Sequence, residues 1–77
     1  MNKNTFFVIE EIEEATGKSF SYAQKVSNSN NLKGFFRPSF HGYNILSINA
    51  CDTWKEAQDI ANAWNECAKE KGKYIFQ

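Results

Sequence analysis

Thr53 to Gly72 of this chain encodes a helix with both of its ends written in. Thr53-Trp54-Lys55-Glu56 fits the S/T-x-x-E capping box. There the Thr53 hydroxyl accepts from the backbone N–H of Glu56, and the Glu56 side chain reaches back to the Thr53 N–H. Gly72 stands where a left-handed residue stops a helix, and Lys69 and Lys71 suit the negative end of its dipole. The interior is rich in Ala, Glu, Lys and Gln, which are good helix formers. At about 100° per residue, Trp54, Ala57, Ile60, Ala61, Trp64, Cys67 and Ala68 fall in one arc. Lys55, Asp59, Asn62, Glu66, Lys69 and Glu70 fall opposite. Both tryptophans of the chain therefore share the apolar stripe. The expectation is that the alanines let a sheet approach closely while Trp54 and Trp64 fill the interior at either end.

A lone helix buries nothing, so the remaining residues must supply a surface for it. The chain has 77 residues, which is one domain, 1–77, with a thin core. Aromatic residues make up 16% of it, and each can bury roughly 150–250 Å². Large rings are one way for so small a domain to reach stability.

Period-two patterns mark the strands. In Lys18 to Ser27, Phe20, Tyr22 and Val26 face one way, and Ser19, Ser21, Ala23 and Lys25 the other. Tyr43 to Ala50 reads similarly, with Leu46, Ile48 and Ala50 on one side. Thr5 to Ile12 fits two elements. Val8, Ile9, Ile12 and Ala15 suit a helix closed by Gly17, but Phe6-Phe7-Val8-Ile9 is aromatic and β-branched and is followed by a turn signal, which favours a strand. The connection 27–42 is rich in Asn, Ser and Gly yet holds Leu32, Phe35, Phe36 and Phe40, so part of it should fold back onto the sheet. Lys73 to Gln77 reads as a final short strand. The expected fold is α+β: a small antiparallel sheet in the order β-β-β-α-β, with one long C-terminal helix packed on one face. Phe20, Tyr22, Val26, Leu46 and Ile48 would meet the helix stripe. The face carrying Ser19, Ser21, Ala23 and Lys25 would be open, as antiparallel sheets permit.

Few residues could carry chemistry. Cys51 precedes the helix and Cys67 lies near its end, roughly 20 Å away along it, too far for a disulfide. Two free, buried thiols are expected, which agrees with a reducing compartment. His41 is the sole histidine, and neither cysteine sits in a nucleophile signature. Two cysteines without a CxxC spacing plus one histidine do not make a closed zinc site. The four glycines, at 17, 34, 42 and 72, are too dispersed for a phosphate loop. No enzyme, no cofactor, no metal and no small-molecule substrate is therefore expected. No apolar run approaches the roughly 20 residues of a membrane span, and the start lacks the pattern of a signal peptide. A cytoplasmic location is the expectation, with no membrane partner.

Charge is uneven although the net is zero. Residues 1–14 hold Lys3 against Glu10, Glu11, Glu13 and Glu14. That acidic run fits a solvated hairpin end, or a contact for a basic protein partner. Residues 15–51 hold Lys18, Lys25, Lys33 and Arg37 and no acid. Phe20, Tyr22, Phe35, Phe36, Phe40 and Tyr43 are interleaved with them, and basic groups beside stackable rings can bind nucleic acid. Four charges would give a modest, salt-sensitive affinity.

Asn30-Asn31-Leu32, Ala50 to Ala57, Trp64-Asn65-Glu66-Cys67 and Gly72 to Phe76 resemble a group of small uncharacterised proteins of bacterial phages and mobile elements. That resemblance implies no activity. Three strands feeding a helix that begins Thr53-x-Lys55-Glu56-Ala57 are also similar to the arm-type DNA-binding domains of phage and transposon integrases. Such domains lay the sheet in the major groove. That resemblance implies Lys18, Ser21, Ala23, Lys25 and Arg37 as contacts. The chain departs from those domains in its neutral charge, its aromatic connection and its final strand.

The resulting expectation is a small non-enzymatic accessory or regulatory protein that binds a protein partner or itself. Its surfaces would be the open sheet face, an unpaired edge or the acidic hairpin end, and edge pairing would make a homodimer. The alternative is a weak DNA-binding module using the exposed sheet face.

Overall fold

The computed structural model describes residues 4–27 and 36–77. Three strands, β1 (Asn4–Glu13), β2 (Ser19–Ser27) and β3 (Tyr43–Cys51), precede one helix, α1 (Trp54–Glu70). The sheet order is β2-β1-β3, antiparallel throughout, and α1 packs on one face. This is the expected α+β layout.

The ambiguous N-terminal run is thus a strand, and it is the central one. β1 and β2 form a hairpin whose turn is closed by Gly17 at φ +71°, with its N–H donating to the Glu13 carbonyl at 2.8 Å. β2 and β3 both run antiparallel to β1, so they run parallel to each other. A parallel pair needs a crossover of a dozen or more residues, which accounts for the long connection between Ser27 and Tyr43. Its described part passes over the face opposite α1, where Phe36 packs edge-on against Phe7. β1 is therefore covered on both sides. Phe7, Val8, Ile9 and Glu11 are all buried, and a continuous apolar run suits a strand with no wet face.

The two faces are the reverse of those expected. Val8, Cys51, Ala57 and Ala61 form the core beneath α1, with Phe6, Ala23, Ile60 and Trp64 around it. Phe7, Ile9 and Val26 form a second core on the other side, with Tyr22, Phe36 and Ile45. So Ser19, Ser21 and Ala23 lie under the helix, while Phe20, Tyr22, Val26 and Ile48 face away from it. Close approach explains the choice. The helix presents Ala57, Ala61 and Ala68 as its buried line, and small residues on the sheet let those alanines settle against it. Leu46 does reach the helix side, because a bulge between Glu10 and Glu11 inserts it as an extra residue.

The tryptophans flank this contact. Trp64 is half-buried, and Trp54 stays 44% exposed, edge-on to Phe6. The interior expected at the Trp54 end is absent, since an indole is too large for the alanine line. Both helix ends fall where the sequence puts them, with one of the two expected bonds of the capping box formed. The Thr53 hydroxyl accepts from the Glu56 N–H at 3.1 Å. At the other end Lys73 N–H donates to the Ala68 carbonyl and Gly72 N–H to that of Lys69, the paired bonds of a Schellman stop. The expected last strand shrinks to one bridge, in which Tyr74 lies parallel to Ser19.

Candidate functional site

The sheet has two edges, and the fold treats them differently. At the outer edge of β2, the Ser19 N–H donates to the Lys73 carbonyl at 2.8 Å, and the Ile75 N–H donates to the Ser19 carbonyl at 3.0 Å. One step along, the Asn65 side-chain amide does what a neighbouring strand would do. Its Oδ1 accepts from the Ser21 N–H at 2.7 Å, and its Nδ2 donates to the Ser21 carbonyl at 2.9 Å. The first half of β2 is therefore closed to strand addition.

β3 has no strand on its outer side among the described residues. Its sequence, Tyr43-Asn-Ile-Leu-Ser-Ile-Asn-Ala-Cys51, holds no charge and no proline, two of the usual guards of an edge, and its bulge lies at Leu46, before Ile48. Leu46 and Ile48 are 55% and 44% exposed. Beside β3, on the helix side, runs a groove of about 350 Å³. Ile12, Leu46, Trp64 and Cys67 line it, with Glu10 and Lys71 among its polar residues, and it runs under the end of α1 as far as Ser19 and Lys73. It exists because α1 sits over β2 and β1 and scarcely over β3.

A buried carboxylate fastens the opposite face. Glu11 is fully buried and accepts three hydrogen bonds. Tyr22 Oη donates to Oε2, Ser39 N–H to Oε1 and Ser39 Oγ–H to Oε2, each at 2.6 Å. These bonds tie the crossover to β1 and β2. Burial and the neighbouring Glu11 push the Tyr22 hydroxyl up to about 12, so it remains a donor at any ordinary pH. With both Glu11 oxygens engaged, the three bonds act as a clasp on the crossover. Burial likewise raises the Cys51 thiol, aided by the charges of Glu56 and Asp52, which keeps it a poor nucleophile. Cys67 is free but exposed, against the expectation that both thiols are buried. Among the described residues no group of three or more His, Cys, Asp or Glu could hold a metal. Among the described residues no helix is long and apolar enough to cross a membrane.

The acidic run does not form one surface. Strand alternation sends Glu10 to the helix side and Glu11 into the clasp. Glu13 is half-buried beside the turn, and Glu14 is exposed and bonded by Asn44. Glu11 is out of any partner's reach. The nucleic-acid candidates are similarly scattered. Ser21 is buried beneath α1 and Ala23 packs against the core there, so neither can touch a duplex. Lys18 and Lys25 are exposed seven residues apart, about 23 Å along a strand, and Arg37 lies on the crossover at the other face. Lys33, with Leu32 and Phe35, lies outside the described residues.

Two features escaped the pattern reading, the Glu11 clasp and the Asn65 plug, and the expected unpaired edge was not assigned to β3. A signal existed for Asn65. On the helical wheel it stands beside Trp54 and Ala61, whereas Cys67 marks the opposite margin of the stripe. The buried line is rotated toward Asn65, which exposes Cys67. No family model, curated protein or solved structure matches this chain.

Proposed function

We propose that this protein is a non-enzymatic accessory or regulatory protein that acts by binding another polypeptide along β3. The observation that carries this reading is the inequality of the edges. One is plugged by a side-chain amide and a returning tail, while the other offers nine uncharged residues with apolar side chains standing out. Main-chain pairing at such an edge supplies affinity, and the adjoining groove supplies pockets for alternate side chains of an added strand. Binding of duplex DNA by the sheet has less support, because the face proposed for it lies under α1. The test is Ile48→Lys. Its side chain stands in solvent away from the helix, so the fold should survive by circular dichroism while retention of polypeptide partners is lost. Undiminished retention by a folded Ile48→Lys protein would refute the reading, as would turnover of a substrate by the pure chain.

A further inference from the structure

Resting on the protein-binding reading, we infer that the strand received by β3 is β3 of a second copy, paired antiparallel about a two-fold axis through Ile48. Three observations lead there. The first is the direction of the backbone groups. Ser19 and Ser21 point their N–H and C=O groups away from β1, toward the tail and Asn65. Antiparallel alternation then turns Ile9 and Glu11 toward β2, and Phe6, Val8 and Glu10 toward β3. Their partners Cys51, Asn49 and Ser47 bond inward, which leaves Ile48 and Ala50 with their backbone groups facing out.

The second observation is charge. A two-fold axis sets residues near it against their own copies, so any charge there would meet itself. β3 has none from Tyr43 to Cys51. An axis at Ile48 sets two exposed isoleucines side by side as a pair that exchanges both of its hydrogen bonds. The third observation is the plug on β2. Head-to-tail pairing of β3 with β2 of the next copy would build an open filament, and the tail and Asn65 obstruct it. The remaining self-pairing closes on itself. It gives a six-stranded sheet in the order β2-β1-β3-β3-β1-β2 with both helices on one face, and the two grooves beside Trp64 face each other across the axis.

Light scattering on the purified chain, over a range of concentrations, reads this directly. The expected mass at high concentration is twice the 8.9 kDa of one chain, returning to one chain for folded Ile48→Lys. Cross-linking provides a reading that survives a poorly folding lysine variant. In a Cys67→Ser background, Ile48→Cys should form a disulfide between chains under mild oxidation, and Asp59→Cys, on the exposed side of α1, should not. A wild-type mass of one chain at every concentration overturns the inference, as does a dimer that persists in Ile48→Lys or cross-linking no better at 48 than at 59. A monomer whose capture of a foreign polypeptide is lost in Ile48→Lys would sink the self-pairing alone. A monomer with no such capture would sink the protein-binding reading as well.

Discussion

β2 and β3 flank the same central strand and run in the same direction, yet they are finished differently. β2 is roofed by α1 and hemmed by Asn65 and the bridge at Tyr74. On its other face Tyr22 joins the Glu11 clasp. β3 meets the helix least and keeps Leu46 and Ile48 in solvent. A small domain cannot cover both flanks of its sheet with one helix. This chain spends its polar side chains on protecting one flank and leaves the other uncharged. An uncharged edge of this kind is the type of surface on which a further strand pairs.

The largest expected effect comes from undoing the clasp that secures the β2 side. Glu11→Ala removes the buried acceptor of three part-buried hydrogen bonds and should cost about 3 kcal/mol in denaturant unfolding. A loss below about 1 kcal/mol would mean that the crossover is held by its ring contacts, Phe36 on Phe7 and Phe40 on Phe20 and Tyr43, rather than by the clasp. Next comes Asn65→Leu, which keeps the bulk but leaves the Ser21 N–H and C=O unpaired, at about 1–3 kcal/mol. It should also open the β2 edge, so association beyond a dimer by light scattering is the second readout.

A pH titration sharpens the same contrast. The Tyr22 hydroxyl titrates near 12 when folded and near 10 when unfolded. Below pH 10 both states hold the proton, and stability is unaffected. Between about pH 10 and 12 the unfolded state releases its proton first, so stability should fall with rising pH across that window. Tyr22→Phe should flatten this part of the profile, measured by thermal unfolding. An unchanged slope in that variant would remove Tyr22 from the clasp. The smallest effect on the monomer belongs to β3. Leu46→Lys and Ile48→Lys should each shift unfolding of dilute protein by about 0.5 kcal/mol or less. A much larger loss would show that β3 is a core strand and no open edge.

Much of this fold is legible in the sequence, and the missing part has a physical cause. The Thr53 cap, the Gly72 stop and the alternation of β2 are local signals, set by neighbours a few residues away, and they placed α1 and the strands. Which face of β2 the helix chooses depends on packing between distant elements. Phe20 and Tyr22 looked like the core because they are large, but the alanines of α1 needed Ser19, Ser21 and Ala23 beneath them. The run Phe6 to Ile9 did carry a hint of two covered faces, since a half-wet strand would have alternated. The four glutamates show the same limit. They are adjacent in sequence, but a strand turns neighbours to opposite sides, so Glu11 goes to the interior and Glu14 to solvent. The site itself was legible only as an unpaired edge of unspecified identity. The bulge at Leu46 and the amide plug at Asn65 arise from pairing register and helix rotation, which periodicity does not encode.

Site-resolved hydrogen exchange, in dilute and in concentrated protein, tests the inequality of the edges most directly. The Ser21 amide should be protected at both concentrations. The amides of Ile48 and Ala50 should exchange freely when dilute and become protected when concentrated. Equal protection of Ser21 and Ile48 in dilute solution, or an Ile48 amide indifferent to concentration, would contradict it.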